Sequence, residues 1–137
     1  MQHEKFVAVI PVKRKGNQIL FFLRKFRDYW GFPKTQVRYQ EVLEIAAAAL
    51  VSSTFQVKNP VIHPDFRETL TFSYSQRGDP VFREEIYFLC NLPTSPRVKL
   101  RERHGWFTLG EARTLIRHEN LKNLLERAHQ FLQATLL

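Results

Sequence analysis

The chain has 137 residues, 44% of them hydrophobic and 13% aromatic, and a formal net charge of +8 at pH 7. This length and composition exclude a disordered protein and predict one globular domain over residues 1–137 with a buried core. No apolar run approaches the ~20 residues of a membrane-spanning helix, and the apolar N-terminal stretch is too short for a signal peptide. We therefore expect a protein that does not enter a membrane.

Cys90 is the single cysteine, so the chain cannot form an internal disulfide bond. It lies in an apolar run, which favours a buried position over a nucleophilic one. We expect the protein to work in a reducing compartment and to be cytoplasmic.

Positive charge is concentrated in the first part of the chain. Between residues 13 and 38 the sequence has eight Lys or Arg residues and one Asp. A cluster of this kind attracts phosphates, whether they belong to a nucleotide, a nucleic acid or a membrane. A solvated positive face is the alternative interpretation.

The N-terminal residues predict a β-hairpin. Residues 6–12 are mostly β-branched or aromatic, as is typical of a buried strand. A turn at residues 16–17 leads to a second predicted strand over residues 19–26. Residues 27–40 predict an irregular loop held in place by aromatic side chains.

A helix is predicted over residues 41–54, because its alanines favour helix and its early glutamates suit the positive end of the helix dipole. Those glutamates are Glu41 and Glu44. Pro60 and Pro64 interrupt the next stretch, which predicts a short strand.

The second half of the chain predicts two strands and then two helices. Residues 68–75 and 81–92 predict strands joined by a turn over residues 76–80. A capping-box pattern at residues 108–111 predicts a short helix to about residue 116, and a last helix begins at about residue 119. The predicted core face of that helix consists of Leu121, Leu124, Leu125, Ala128 and Leu132. This order of elements predicts an α+β fold in which helices cover both faces of a mixed sheet.

Residues 31–57 combine a Gly-Phe-Pro-Lys-Thr loop, Glu41 and an alanine-rich helix that ends before Val57. This arrangement resembles the Nudix hydrolases, whose signature is Gly-x5-Glu-x7-Arg-Glu-U-x-Glu-Glu-x-Gly-U, with U a bulky apolar residue. Further segments are similar to the branch of that family that cleaves dinucleoside tetraphosphates. They are residues 67–70, 87–89, 106, 111–112, 115–116, 119–121 and 124–125. The resemblance covers nearly the whole chain and implies the Nudix α/β/α sandwich, a mixed β-sheet flanked by helices.

The signature is incomplete in this chain. Glu41, Val51 and Val57 match the first glutamate and the two apolar positions. At the other positions the family has glycine, arginine, three glutamates and glycine. The residues that stand there are Thr35, Ala49, Leu50, Ser53, Thr54 and Gln56. The chain therefore resembles the family with a degenerate Nudix box.

The replaced glutamates matter for metal binding. The resemblance implies that they hold divalent ions, which neutralise phosphoryl charge and activate water. Mg²⁺ needs hard oxygen ligands, and there is no Asp or Glu from residue 45 to residue 64. Glu41 and Glu44 lie about two helical turns before Ser53, too far to take over its role. We expect no metal site and no cofactor, with Mg²⁺ relevant only if some hydrolysis survives.

Three carboxylates are candidates for residual catalysis: Glu41, Glu84 and Glu85. The last two lie on the long strand, where some family members place an additional metal ligand, but only one of two adjacent strand residues can face a site. A surface pair is the alternative interpretation. The histidines with no recognisable ligand spacing, which we expect at the surface or in packing, are His63, His104 and His118.

The basic loop region supplies candidate phosphate ligands. They are Lys34, which matches the lysine of the family's Gly-Phe-Pro-Lys loop, and Arg24, Arg27 and Arg38. Tyr87 matches a tyrosine of the dinucleoside tetraphosphate branch and is the first candidate for stacking on a base. Phe107 is a second candidate and Tyr39 a looser one, with core packing as the alternative for each.

These observations favour a Nudix-like protein that binds a nucleotide or dinucleoside polyphosphate without efficient hydrolysis. One alternative is a residual or altered pyrophosphohydrolase that uses Glu84 or Glu85. Another is a degenerate Nudix module that binds RNA, which the net charge permits. A protein-interaction subunit that keeps the fold for its shape is a fourth hypothesis.

Overall fold

The computed structural model describes residues 2–135, which form a seven-stranded mixed sheet and three helices. The strands are β1 (Gln2–Lys15), β2 (Gln18–Lys25), β3 (Trp30–Gly31), β4 (Lys34–Gln36), β5 (Ile62–Gln76), β6 (Asp79–Asn91) and β7 (His104–Phe107). The helices are α1 (Leu43–Thr54), α2 (Leu109–Leu115) and α3 (Glu119–Ala134).

The sheet has the order β3-β2-β1-β6-β5, with β4 paired to β1 and β7 paired to β2. β1 and β6 are parallel over eleven residue pairs, from Gln2 with Val81 to Val12 with Asn91. The other pairings are antiparallel. The predicted mixed sheet is therefore confirmed.

The two faces of the sheet carry separate cores, because side chains alternate along a strand. Ala8 and Tyr87 belong to a core under α2 and α3, which we call the α3 face. Val7 and Ile86 belong to a core under α1, which we call the α1 face. Helices cover both faces, as the element order predicts.

The two C-terminal helices form where the sequence predicts them. The hydroxyl oxygen of Thr108 accepts a hydrogen bond from the Glu111 N–H at 3.3 Å, and the Glu111 carboxylate accepts one from the Thr108 N–H at 2.9 Å. This capping box starts α2. The predicted leucine face of α3 is buried. Within residues 2–135, no helix combines the length and the apolar character that crossing a membrane requires.

Helix α1 begins at Leu43, two residues later than predicted. Glu41 stays outside it because its carboxylate accepts a hydrogen bond from the Arg38 N–H at 3.0 Å, which closes a turn before the helix. The helix is apolar on most of its circumference: Ala47 and Val51 are buried, whereas Ile45 is 68% exposed.

The region after α1 differs from the prediction, because one long strand, β5, replaces two short ones. Pro64 is accommodated because the pairing register of β5 with β6 shifts between Ile62 and Arg67, so the missing N–H of proline interrupts no regular ladder. The turn to β6 is also shorter than predicted. Arg77 and Gly78, with φ of 52° and 83°, form a two-residue hairpin turn in which both central residues have positive φ.

We expect Thr108→Ala to lower the free energy of unfolding by about 1 kcal/mol, because the first N–H groups of α2 lose their capping partner. Thr114→Ala is the matched control. The Thr114 hydroxyl donates to the Gly110 carbonyl inside the same helix, and alanine is the better helix former, so the change should stay within about 0.5 kcal/mol. Urea denaturation measures both. Equal losses for the two variants would contradict the capping role.

Candidate ligand-binding site

A pocket of about 260 Å³ opens on the α3 face of the sheet. Strands β4, β5 and β6, the loop before β3 and the start of α3 contribute to it. Its lining residues are Tyr29, Lys34, Phe72, Ser73, Tyr74, Arg83, Glu85, His118 and Leu121.

Strand pairing brings the charged residues of the pocket together. On β1, Ala8 pairs with Lys34 of β4 and with Tyr87 of β6, while Phe6 pairs with Glu85. Directly paired residues point to the same face of a sheet, so Lys34 and Glu85 both face the pocket. Arg83 lies two residues before Glu85 and shares its face.

Glu85 is 2% exposed and has a partner for each carboxylate oxygen. The Tyr87 hydroxyl donates to Oε1 at 2.6 Å, and Lys34 Nζ donates to Oε2 at 3.1 Å. The Arg83 guanidinium lies 3.7 Å from the same Oε2. Burial, together with the negative charge and hydrogen bond of Glu85, raises the pKa of Tyr87 well above its ordinary value. The phenol therefore remains a donor that holds the carboxylate at neutral pH.

Arg83 has a second acidic partner at the rim of the pocket. Its Nε donates to Glu4 Oε1 at 2.9 Å, and its Nη2 donates to the Tyr74 hydroxyl at 3.1 Å. The Tyr74 hydroxyl in turn donates to Glu4, and this hydrogen bond lowers the pKa of the Glu4 carboxyl, assisted by Arg83. Arg83 is thus fixed between two carboxylates rather than free in solvent.

The aromatic wall of the pocket is built around Tyr29. Its ring stacks on Phe26 with the centroids 4.9 Å apart, and its edge meets His118 at 5.9 Å. The Tyr29 hydroxyl accepts a hydrogen bond from Lys34 Nζ at 2.8 Å. Because an ammonium group has three N–H donors and Lys34 uses two, one donor remains for a ligand.

Of the predicted phosphate ligands, only Lys34 lines the pocket. Arg24 lies on β2 and pairs with Glu102 at 3.3 Å. Arg27 and Arg38 are exposed outside the pocket. The basic run in the sequence is therefore divided among different parts of the fold.

The predicted stacking residues are core residues. Tyr87 is 2% exposed, and its ring packs edge-on against Phe32. Phe107 packs edge-on against Trp30 with the centroids 5.7 Å apart. Neither ring lines the pocket: Tyr87 lies in the core of the α3 face, and Phe107 packs against that core. Tyr29 lines it instead.

The predicted carboxylates do not converge. Glu85 faces the pocket, whereas Glu84 points to the α1 face, as the alternation of a strand requires. Glu41 holds the turn before α1 and does not line the pocket. Sequence reasoning missed Tyr29, whose role depends on loop folding. It also missed Arg83, which the two-residue spacing to Glu85 could have indicated.

The residues of α1 do not fit a magnesium site. Leu50 packs against the core of the α1 face. The hydroxyls of Ser53 and Thr54 both donate to the Leu50 carbonyl, at 2.9 and 2.8 Å. In the part of the chain that the structure describes, no three His, Cys, Asp or Glu side chains form a group that could hold a metal ion. The side-chain oxygens at positions 53 and 54 are thus neutral and engaged within the helix, and the one carboxylate of α1, Glu44, pairs with Arg67 at 3.2 Å.

We expect Glu85→Gln to lower the free energy of unfolding by about 1.5–3 kcal/mol. The substitution removes the negative charge that compensates Lys34 and Arg83 and that accepts the hydrogen bond from the Tyr87 hydroxyl. Glu84→Gln makes the same chemical change one residue earlier on the opposite face. No ion pair within residues 2–135 involves Glu84, so its effect should stay within about 0.5 kcal/mol. Urea denaturation at neutral pH compares them. Equal effects would contradict the role assigned to Glu85.

Known proteins are similar to this chain in structure rather than in sequence. No protein-family model matches the sequence, and no curated protein matches it. The Ap4A hydrolase of C. elegans, solved as a binary complex, has a TM-score of 0.74 and 21% identity, with 96% of this chain and 98% of that chain covered. The E. coli dihydroneopterin triphosphate pyrophosphohydrolase has a TM-score of 0.73 and 14% identity, with 93% and 97% covered. The NUDIX domain of Shewanella oneidensis NrtR, solved with ADP ribose, has a TM-score of 0.67 and 14% identity, with 96% and 89% covered. The chain therefore has the Nudix fold, as the resemblance implies.

Proposed function

We propose that this chain binds a nucleoside or dinucleoside polyphosphate in the pocket between Tyr29, Lys34 and Glu85, and does not hydrolyse it efficiently. The observation that carries the proposal is the meeting of an aromatic wall with two cations in one pocket of a Nudix fold. The aromatic wall can stack on a base, and the two cations can bind a phosphate chain.

The pocket suits the nucleoside part of such a ligand. Its volume of about 260 Å³ lies just below the roughly 300 Å³ at which cavities for drug-sized ligands begin, so it suits one nucleoside rather than two. The ring of Tyr29, stacked on Phe26 and hydrogen-bonded to Lys34, is held in place before a ligand arrives. A base that contacts a pre-positioned ring costs less ordering entropy than one that must fix a mobile side chain.

The cations suit the phosphate chain. Lys34 has one free N–H donor beside Tyr29, and the Arg83 guanidinium lies on the same wall. Both cations already have carboxylate partners, so they contribute directed hydrogen bonds more than net charge. Two of the similar structures bear on the ligand class: one is called an Ap4A hydrolase and another was solved with ADP ribose. Both ligands join a nucleoside to a phosphate chain.

The lack of efficient hydrolysis is supported by the donor set of α1. Leu50, Ser53 and Thr54 stand where the Nudix signature has glutamates, and neutral hydroxyls are poor Mg²⁺ ligands. Glu85 cannot replace them, because it lies on the other face of the sheet from α1 and its oxygens are already occupied. The proposed function therefore needs no metal cofactor.

We expect calorimetric titration with diadenosine tetraphosphate to give heat that saturates, with the same affinity in magnesium and in EDTA. Tyr29→Ala should weaken binding about tenfold or more, since stacking on an aromatic residue contributes about 1–3 kcal/mol per base. Tyr39→Ala is the matched control, because Tyr39 is 95% exposed and does not line the pocket.

Three outcomes would contradict the proposal. Heat that continues after each injection, with product formed only in magnesium, would establish the hydrolase alternative. Equal affinity of the Tyr29→Ala and Tyr39→Ala proteins would place the ligand elsewhere. No heat with diadenosine tetraphosphate, ATP or ADP ribose would remove the binding proposal.

A further inference from the structure

Residues 97–103, Arg-Val-Lys-Leu-Arg-Glu-Arg, connect β6 to β7 and take no part in the pocket. We call them the basic segment. Cations occupy every second position, and all four of these cationic residues are exposed. They are Arg97, Lys99, Arg101 and Arg103.

Packing and backbone pairing fix the direction of these side chains. Val98 and Leu100 pack against the core of the α1 face. Val98 forms an antiparallel bridge with Phe55, flanked by hydrogen bonds from Gln56 N–H to the Arg97 carbonyl and from Lys99 N–H to the Thr54 carbonyl, both 2.8 Å. Because Val98 and Leu100 point inward, their neighbours Arg97, Lys99 and Arg101 point outward.

The segment is anchored at its other end as well. The Lys25 N–H donates to the Arg103 carbonyl at 2.7 Å, and the Arg103 guanidinium lies 5.7 Å from the centroid of the Trp30 ring. The chain bends at Glu102, between the last two cations. The result is a group of four cations on a backbone held at both ends.

These charges are not neutralised within the protein. No ion pair among residues 2–135 involves any of the four cations. The single acidic residue of the segment, Glu102, pairs with Arg24 at 3.3 Å. Lys99 Nζ donates to the Ser52 carbonyl at 2.9 Å and keeps two further N–H donors.

The end of β1 extends the basic surface. Lys13 Nζ lies 4.5 Å from the centroid of the Trp106 ring, and that ring lies 5.9 Å from Phe55, which bridges to Val98. Lys13 and its neighbour Arg14 therefore belong to the same end of the molecule as the basic segment.

This surface is separate from the pocket. Val98 packs on the α1 face, whereas Lys34 faces the α3 face beside Ala8. Along β1, Lys13 is five residues beyond Ala8, about 16 Å away. A ligand that contacts the segment beside Val98 therefore lies on the other face of the sheet from a ligand in the pocket.

We propose that the basic segment binds a single-stranded nucleic acid through its phosphate backbone. Four exposed cations within seven residues, none in an ion pair among residues 2–135, match a ligand with closely spaced negative charges, such as the phosphate backbone of a nucleic acid. Because the segment bends at Glu102, a flexible single strand can follow it where a stiff duplex cannot. Val98 and Leu100 pack inward between the cations, so the segment offers no apolar side chain for insertion into a lipid surface.

Fluorescence anisotropy with a labelled oligouridylate, measured over a range of salt concentrations, tests the proposal. For four phosphate contacts on a single strand, the slope of log K against log salt concentration should be about −2.8. The variant Lys99→Gln with Arg101→Gln should reduce that slope to about −1.4. The glutamine amide at position 99 keeps a donor for the Ser52 carbonyl, which preserves the packing of the segment.

The matched control is Arg77→Gln with Arg117→Gln, which removes the same charge from exposed residues outside the segment. This protein should keep the slope of the original. Equal slopes for the two double variants would overturn the proposal, since binding would then follow net charge alone. Tighter binding of duplex RNA than of oligouridylate, or capture by phosphatidylserine vesicles without binding of the oligomer, would also overturn it.

Two further measurements test which part of the nucleic acid is recognised and whether this site is distinct from the pocket. Oligothymidylate of the same length should give a similar slope, because the backbone charge is shared, and no binding of it would overturn recognition through the phosphates. Saturating diadenosine tetraphosphate should leave the oligomer bound. Displacement of the oligomer would assign both ligands to one site and overturn the proposal. A failure of diadenosine tetraphosphate to bind at all would remove the proposed function without affecting this result.

Discussion

β1 and β6 pair in parallel over eleven residues, and the two faces of that pair carry different chemistry. A parallel pair covered on both sides is expected to be apolar throughout. Glu85 is the charged exception among the buried residues of this pair, and the register places it opposite Phe6. Burying a carboxylate costs several kcal/mol unless partners replace its water. Lys34, Arg83 and the Tyr87 hydroxyl are those partners, and the first two are also the cations of the pocket. The polar chemistry of the pocket thus follows from one buried charge.

Helix α1 packs its apolar side chains into the core of the α1 face. Its hydroxyls at Ser53 and Thr54 donate back to the Leu50 carbonyl, and Leu50 itself packs inward. Its last turn has no basic residue of its own, so Lys99 of the basic segment supplies the cation that favours the negative end of the helix dipole. A divalent cation at the C-terminal end of α1 would find only the uncharged hydroxyls of Ser53 and Thr54 as ligands there, and the positively charged Lys99 would repel it. The neutral side chains at positions 50, 53 and 54 and the nearby Lys99 therefore both support the proposal that no divalent ion is needed.

Helices and strands could be predicted from the sequence where a short stretch of neighbouring residues determines them. The capping residues at Thr108 and Glu111 and the leucine spacing of α3 are local, and both predictions are confirmed. The long strand β5 could not be predicted, because Pro64 is tolerated only through a register shift against β6. The pocket is mostly non-local. Lys34 and Glu85 are 51 positions apart in the chain, and β1 alone brings them together. Tyr87 matches a family tyrosine in sequence, but this match does not indicate how deeply the side chain is buried, and the structure places it in the core.

The cations that give the chain its net charge of +8 differ in whether they are paired with carboxylates. In the pocket, Lys34 and Arg83 are matched by Glu85 and Glu4, so attraction there depends on hydrogen-bond geometry at short range. On the basic segment the cations have no acidic partner within the described residues, so attraction extends to about the Debye length. Salt weakens the second kind of attraction much more than the first. The cations of the pocket are paired with carboxylates and those of the basic segment are not, so the two ligands that we propose would be held by different physical means.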